Sequence, residues 1–569
     1  MLKRTLLVFC LALVPTIAQA QAQVQDSYLP SKSQFYFRFD GMTSHQAAYA
    51  KTAMGKMMQG DMGKFLEELW KFTEANLKAA AEKEPQIVPL LTDFTKLVST
   101  MHSHGVVVGL AVESVNPPIA QMVLVFPKGA TESGTLLPLI QKVAENTGVK
   151  VEREKVGKRL ISQVSVPFVN LAWWAQGDDA ILYIGTAGAV AYAKDIDAKK
   201  TGLAKNPMYQ KAVGFKEFQT VSRGFFDVAS VLKLGASVAP PVGDVINDLG
   251  LNGLKSIVFV SGFDGAVERS VVDIDMPSPR KGLLALTSQK KITLKDLPIL
   301  PDDINGFSAS SVNLNKSYDI LVNTAEGVVR VFAPNEADNI KEFIKAFEGA
   351  VGVDINKDIF GSFGEMMVSY SSPSDGFLGT GAVVAVKIKD SKKLAKSIEK
   401  LASAVPANPG GKVEAKRVAY LGGEVIHLKI EGMASSHLAT FGIYKDWFIY
   451  AQYPQPVKGF IMRQEGKLPA WKPDAVTAKA LAVLPKEFTG VQVSDPRPTM
   501  KMLLSLAPVV LNMVNAAASP FVPGFRPFDI DLIPHALEAT MDLFPNVTIT
   551  IDDGKRIRTD TRGSILLPF

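Results

Sequence analysis

Hydrophobic positions along the chain follow two different periods, which predicts a mixture of helices and strands. In residues 62–72 and 340–347, apolar side chains recur every three or four positions, as on the buried face of an amphipathic helix. Residues 35–39 alternate with the period of two that is typical of strands. Most predicted strands come in pairs joined by short turns, which favours antiparallel pairing. The pattern therefore predicts an α+β fold rather than a doubly wound parallel sheet.

The predicted elements occur twice in the same order. A helix, a strand pair, a second helix, a basic stretch and two aromatic strands follow one another within residues 62–184 and again within 340–450. Each copy closes with an Asp-Gly hairpin, at residues 264–265 and 553–554, where glycine accepts the positive φ of a tight turn. We predict two homologous lobes, each with a mostly antiparallel sheet of paired strands that carries helices on one face. The alternative is two unrelated α+β domains.

The first twenty residues have the features of a secretory signal peptide. Lys3 and Arg4 precede an apolar run of about 12 residues, which is too short to span a bilayer, and the run ends at Ala18-Gln19-Ala20. A segment rich in proline and lysine separates the two copies, as expected of a boundary. We predict a signal peptide at 1–20, a first lobe at 21–277, a linker at 278–299 and a second lobe at 300–569. The predicted location is periplasmic or secreted.

Composition limits the chemistry that the chain can perform. The 569 residues are 47% hydrophobic and 21% charged, as in globular proteins, and include one cysteine. Because Cys10 lies inside the predicted signal peptide, the mature chain would have no disulfide framework and no cysteine-rich zinc site. The net charge of +6 would fall by two with the signal peptide, so no nucleic-acid partner is predicted.

Candidate catalytic and metal-binding residues are few. His102 and His104 are the one close histidine pair, and on an extended segment both imidazoles would point to one side, as a metal site requires. The competing interpretation is a solvated loop before a strand, since no acidic third ligand is near. The G-x-S-x-G elbow and the dinucleotide and Walker glycine patterns are missing, so we predict no catalytic residue, no bound metal and no cofactor.

Two long apolar segments, at 228–242 and 500–525, are the most distinctive feature. The second contains one charge, but Pro508, Asn512, Asn515 and Pro520 are expected to break a helix there, so a membrane span is not predicted. Either these segments are buried helices followed by a proline-rich loop, or they form an exposed apolar surface for a lipid, another hydrophobic ligand or an envelope protein. The candidate surface residues are Leu503, Leu506, Val509, Val510, Phe521, Val231, Leu234 and Val238.

Several short motifs carry a family resemblance. The run Leu203–Tyr209 precedes a strand that ends in Phe226-Asp227, and an Asp-Gly hairpin precedes a proline at the end of each half. In these respects the chain resembles large, signal-bearing bacterial proteins of an uncharacterised family, a domain of unknown function with a repeated α+β body. The second copy departs from this pattern at residues 476–483. The resemblance implies export and architecture, and it supplies no activity, cofactor or catalytic residue.

Three functions are compatible with the sequence. The leading hypothesis is an exported, non-enzymatic binding or structural protein of the bacterial envelope that holds a hydrophobic ligand or partner between its lobes. The alternative is an envelope hydrolase with an unrecognised active site, which a buried polar cluster in one lobe only would favour. A third possibility, a surface assembly scaffold, predicts exposed sheet edges and self-association. The oligomeric state is not predicted.

Overall fold

The computed structural model describes residues 24–80, 87–131, 136–146, 149–167, 169–376, 379–404, 413–430, 437–520 and 524–565. The predicted signal peptide and Cys10 lie outside these ranges, as does the candidate surface residue Phe521.

The fold is mixed α+β and is built on one large antiparallel sheet, as the paired strands predict. The strands of the described ranges are β1 (Phe35–Phe39), β2 (Val106–Val115), β3 (Pro118–Phe126), β4 (Glu152–Val156), β5 (Arg159–Val166), β6 (Val169–Gln176), β7 (Asp179–Gly185), β8 (Gln219–Phe226), β9 (Ser256–Asp264), β10 (Val267–Asp275), β11 (Gly306–Ser311), β12 (Phe363–Ser371), β13 (Ala382–Ile388), β14 (Val413–Tyr420), β15 (Gly423–Ile430), β16 (His437–Tyr444), β17 (Trp447–Ala451), β18 (Gly490–Ser494), β19 (Asn546–Asp552) and β20 (Arg556–Gly563).

Two series of ten strands make up this sheet. The first runs β4-β5-β6-β7-β3-β2-β1-β8-β9-β10, and the second continues as β20-β19-β18-β11-β12-β13-β17-β16-β15-β14. Followed outward from the junction, the two series have the same order. The first begins β10-β9-β8-β1, and the second begins with the corresponding strands β20-β19-β18-β11. Direct pairing of β10 with β20 joins them, so the sheets of the two halves are continuous.

Buried ion pairs reinforce the β10–β20 junction. The Arg269 guanidinium of β10 donates two hydrogen bonds to the Asp560 carboxylate of β20, at 3.0 and 2.6 Å. It also donates to Glu217 at 2.8 Å, and Arg558 donates to the same carboxylate at 2.7 Å. Both Arg269 and Asp560 are buried. Because each charge has a partner of opposite sign, the junction avoids the desolvation cost of an unpaired buried charge.

Helices are inserted between the strands at matching points of the two series. Their bounds are α1 (Gln46–Tyr49), α2 (Ala53–Gln59), α3 (Asp61–Ala80), α4 (Ile87–His104), α5 (Leu136–Asn146), α6 (Ala189–Asp197), α7 (Pro207–Val213), α8 (Val228–Ala236), α9 (Pro240–Asp248), α10 (Leu314–Phe332), α11 (Asn339–Val351), α12 (Ser391–Ala404), α13 (Pro454–Gln464), α14 (Ala475–Ala482), α15 (Pro496–Ala518) and α16 (Ala536–Ala539). Short 3-10 or π turns lie at 24–28, 251–253, 282–287, 294–296, 334–336, 355–359, 360–362 and 530–532.

The prediction that helices cover one face of the sheet is wrong. On β3, Val123 and Val125 pack with α6 and α7, whereas Phe126 points to the other face and packs with Leu136 of α5. The second half repeats this arrangement, with α13 on one face of β13 and α12 on the other. The reason is visible in the sequence, because an unbroken apolar run such as residues 122–126 is typical of a strand buried on both faces.

The remaining helices gather at two opposite ends of the sheet. Neighbouring strands alternate in direction, so the helices that follow β1 and β18 leave one end, and those that follow β8 and β11 leave the other. At the first end, α2 and α3 of the first half share an apolar cluster with α15 and α16 of the second. At the second end, α9 packs against α10. Each helical group therefore contains elements of both halves.

The segment predicted as a linker, 278–299, packs against the second half. Arg280 is buried and donates to both oxygens of Asp552, at 2.5 and 2.8 Å. Ile292 exchanges backbone hydrogen bonds with Phe488. The proposed domain boundaries themselves stay a prediction.

Replacing Arg269 with methionine should destabilise the protein by about 3 kcal/mol, because the variant leaves the Asp560 carboxylate buried without its main partner. Urea unfolding followed by circular dichroism measures the change. The double variant R269M/D560L should recover most of the lost stability, because it removes both charges. Lys71→Met, at an exposed helical ion pair with Glu67, is the matched control and should leave the urea midpoint nearly unchanged. An R269M midpoint equal to the wild-type value would contradict this account of the junction.

Candidate functional site

Helix α15 carries the apolar segment that the sequence singles out, and it is continuous. Its N-terminus is capped by Asp495, whose carboxylate accepts a hydrogen bond from the backbone N–H of Arg497 at 2.9 Å. The prediction that Pro508, Asn512, Asn515 and Pro520 break the helix is wrong for the first three, which lie within it, whereas Pro520 follows its end at Ala518. Proline removes one backbone hydrogen bond and disfavours a helix interior without excluding it.

One side of α15 is fixed to the body of the protein. Leu504 is buried, and Leu511 packs beside it in the cluster with Phe65 and Phe528. The Asn515 side chain donates to the backbone oxygen of Phe528 at 2.9 Å and accepts from its backbone N–H at 2.8 Å. Asn515 thereby connects the helix to the segment that follows it in the chain. The low helix propensity of asparagine does not predict this role.

The opposite side of α15 is apolar and exposed. Leu503, Leu506, Val509 and Val510 are each 50–57% exposed, as the hypothesis of an apolar surface predicts. The alternative of a buried helix over 500–525 is therefore wrong for these positions. The structure adds exposed side chains that the sequence analysis did not select: Met502, Met513 and Val514. By length and composition, α15 is the one helix of the described residues that could cross a membrane.

The apolar segment of the first half forms two short helices in place of one long one. Val231 and Val238 are exposed and Leu234 is half-buried, so the three candidates do not form one continuous face like that of α15. Phe343 and Phe347 of α11, which the pattern marks as the apolar side of a helix, are exposed as well. Periodicity identifies an apolar face, but it does not identify what covers that face.

The two histidines of the H-x-H pair lie in the last turn of α4, not on an extended segment or a loop. Two residues apart on a helix, their side chains are about 200° apart around the axis, so they do not converge on one ion. Within the described ranges, no three His, Cys, Asp or Glu side chains are grouped so as to hold a metal.

A buried charged cluster lies in the first half, where the sequence analysis predicted no site. Arg38 forms ion pairs with Asp26, at 2.9 Å, and with Asp40, and Arg223 also pairs with Asp40. Tyr209 donates to Asp26 at 2.7 Å. Both carboxylates are thus paired with arginines in the interior, and the cluster fixes the N-terminal turn at 24–28 to the sheet.

The second half has no equivalent of this cluster at the corresponding strand positions. In the first half, Arg38 lies opposite Arg223 in the pairing of β1 with β8. Counted from the Leu-Pro pair that opens each half, the position of Arg38 corresponds to Ala309, which lies opposite Val491. The second half has a buried ion pair at another place, in which Arg463 donates to Asp375 at 2.6 Å. Buried charges therefore occur in both halves, and those of the first-half cluster are paired with one another and covered.

His45 borders the cluster and is buried. Its Nδ1 lies 2.7 Å from the Gln219 side-chain amide, and its Nε2 has no hydrogen-bond partner. Burial, together with the positive charge of Arg223, lowers the pKa of His45 from 6.5 to about 4. The imidazole is therefore neutral at pH 7, and with Nδ1 as the acceptor of the Gln219 N–H, the proton lies on Nε2.

Each of two clefts in the described part of the chain lies within one half or beside the linker. One, of about 490 Å³, is lined by residues 137, 138, 141, 158–160, 162 and 173–175, among them Trp173 and Trp174. The other, of about 470 Å³, is lined by residues 293–295, 481, 482, 484–488, 491 and 549.

The terminal strands of the sheet carry charges. Four of the five residues of β4 are charged and exposed (Glu152, Arg153, Glu154 and Lys155), and β14 includes Lys416 and Arg417. Charged side chains on an edge strand oppose pairing with another sheet.

No protein-family model and no curated protein sequence matches this chain. Among solved structures, crystal forms I and III of TP0453 each align with a TM-score of 0.24 and 8% identity, over 47% and 48% of this chain and 85% of that chain. Crystal form IV gives a TM-score of 0.23 and 8% identity over 44% of this chain and 79% of that chain. Values this low carry no inference about function.

Lowering the pH from 7 to 4 should cost the wild-type protein more stability than the His45→Gln variant. Because the folded-state pKa of about 4 lies below 6.5, the unfolded chain takes up a proton first. Stability is thus lost as the pH falls from about 6.5 towards 4, by an amount on the order of 3 kcal/mol. Urea unfolding at several pH values measures the difference, with His535→Gln, at an exposed histidine, as the control. Identical pH profiles for wild type and H45Q would contradict the assignment.

Proposed function

We propose that this protein is an exported, non-enzymatic binding or structural protein of the bacterial envelope, periplasmic or secreted, and that the exposed face of α15 is its binding surface. The observation that carries the proposal is the apolar side of α15, which the fold presents to solvent. The signal-peptide pattern of residues 1–20 supports export.

The size of this face supports a binding role. Seven side chains that are each about half exposed leave roughly 700 Å² of apolar surface in water, above the 300–600 Å² that a typical monomer exposes in one patch. Covering that area would contribute roughly 15 kcal/mol before the cost of association. Met502 and Met513 add flexible, polarisable side chains that adapt to a partner's shape.

The fold favours α15 over a groove between lobes as the binding surface. The two halves share a continuous sheet, and both clefts described above lie within a single half or beside the linker. A ligand that contacts Leu506 and Val510 binds at one end of the sheet, on the helices.

We also infer that the two halves are copies of one module. Their strand orders match strand for strand, and helices follow the corresponding strands β1 and β11, and β8 and β18. The differences between the copies then identify what each half has acquired: the pairing of Arg38 and Arg223 with Asp26 and Asp40 in the first, and the long apolar helix in the second.

The buried charged cluster favours a second candidate function, an envelope hydrolase with an unrecognised active site. Asp40 would be its carboxylate and His45 its base, although Nδ1, the unprotonated nitrogen of His45, already accepts a hydrogen bond from Gln219. Against this candidate, Asp40 is covered and paired with two arginines, so a substrate would have to displace an ion pair. Asp40→Asn should therefore reduce stability, and a hydrolase activity that depends on Asp40 would reverse the order of the two proposals.

The double variant L506E/V510E should lose most of the binding to apolar molecules, because each glutamate places a charge on the exposed face. The control is S505E/N512E, which adds two charges to exposed positions of the same helix beside that face. The measurement is native mass spectrometry of the mature protein purified from envelope extract, with titration of the apolar dye bis-ANS. We expect at least a tenfold weaker dye affinity for L506E/V510E, and little change for the control.

Equal dye binding by both variants and the wild type, with no bound molecule in the wild-type spectrum, would contradict α15 as the binding surface. Circular dichroism spectra of both variants establish that the helices remain formed.

A further inference from the structure

We propose that the exposed face of α15 binds the same face of α15 in a second copy of the chain, with the two helices antiparallel and centred on Val510. This inference rests on the proposed function, because it takes α15 as the binding surface and names what covers it.

The spacing of the exposed residues is that of a helix–helix seam. Leu503, Leu506, Val510, Met513 and Ala517 follow one another at intervals of three, four, three and four, and all five are exposed. This is the a/d repeat by which one helix packs along another. Met502, Val509 and Val514 flank the seam and widen its apolar surface.

Side-chain sizes along the seam favour an antiparallel pair of identical helices. About a twofold axis at Val510, Leu503 of one copy lies opposite Ala517 of the other, Leu506 lies opposite Val514, and Met513 lies opposite Ala507. Larger side chains thus meet smaller ones, as close packing requires. In a parallel pair, Leu503 would meet Leu503 and Ala517 would meet Ala517, so one end would be crowded and the other loosely packed.

The exposed face of α15 carries no charge that would oppose a second copy. Lys501 is the one charged residue between 498 and 518. It lies nine residues before Val510, which at about 100° per residue places it on the opposite side of the helix. Two copies of the face therefore meet without bringing like charges together.

The available area is that of a specific interface. Each copy would contribute roughly 700 Å² from seven side chains of α15, close to the 800 Å² per partner of a standard-size complex. The contact is isologous, so it closes as a dimer and does not extend into a filament.

The surroundings of α15 favour a protein partner over an anionic membrane. The segment that packs beside α15 carries four acidic residues and one arginine: Asp529, Asp531, Glu538, Asp542 and Arg526. Helices that bind the surface of anionic bilayers have basic flanks instead.

Sedimentation velocity on the full mature chain tests the dimer. We expect a reversible dimer at concentrations up to about 50 μM for the wild type and for S505E, and a monomer for V510E. Ser505 lies on the same helix outside the seam, so S505E is the matched control.

Disulfide cross-linking tests the orientation. The mature chain predicted by the sequence has no cysteine, so every disulfide in a single variant must involve the engineered cysteine. V510C should cross-link to itself, because the two copies of residue 510 meet at the axis. Neither L503C nor A517C should form a disulfide with a second copy of itself. A mixture of the two variants should form a disulfide between them. Self-cross-linking of all three would indicate a parallel pair and overturn the antiparallel arrangement, and M541C, exposed outside the seam, is the control for random collision.

The other outcomes separate this inference from the proposed function. A monomeric wild type whose seam binds vesicles of phosphatidylethanolamine and phosphatidylglycerol, with loss of binding in L506E/V510E, would overturn the dimer and retain α15 as a binding surface. A monomer that binds neither vesicles nor bis-ANS would overturn both.

Discussion

The pairing of β10 with β20 is the constraint on which the rest of the structure depends. It joins two ten-strand series through a ladder of backbone hydrogen bonds and through the buried ion pair of Arg269 with Asp560. Because the two series run outward from this junction in the same order, the helices inserted in each half meet helices of the other half at the ends of the sheet. The packing of α3 against α15 and α16 follows from that arrangement.

The same arrangement explains why α15 keeps an apolar side in water. The helices from the first half cover only the side that carries Leu504 and Leu511, and no other element of the described chain covers the side that carries Val510. Exposing so much apolar surface is unfavourable unless something covers it. A partner helix is the simplest cover, since the exposed residues already have the spacing of a helix seam.

The sequence predicts the helices, the strands and the local strand pairs better than it predicts which residues from distant parts of the chain pack against them. The hairpins around Asp264-Gly265 and Asp553-Gly554 form as the turn chemistry predicts. The β10–β20 junction has no local signal, because pairing of strands almost 290 residues apart is decided by tertiary packing. The exposure of Phe343, the continuity of α15 through Pro508 and the pairing of Arg38 with Asp40 are also tertiary effects, and periodicity does not encode them.

The central claim is that the exposed face of α15 is the contact between two copies of this chain. Distance measurement by double electron–electron resonance, on a chain that begins at residue 21 and is spin-labelled at one engineered cysteine, tests it most directly. The account predicts a separation of about 10 Å between helix axes at position 510, and an additional displacement of about 21 Å along the axis between the two copies of position 503. Equal short distances at both positions would contradict the antiparallel arrangement, and the absence of any intermolecular dipolar signal would contradict the contact itself.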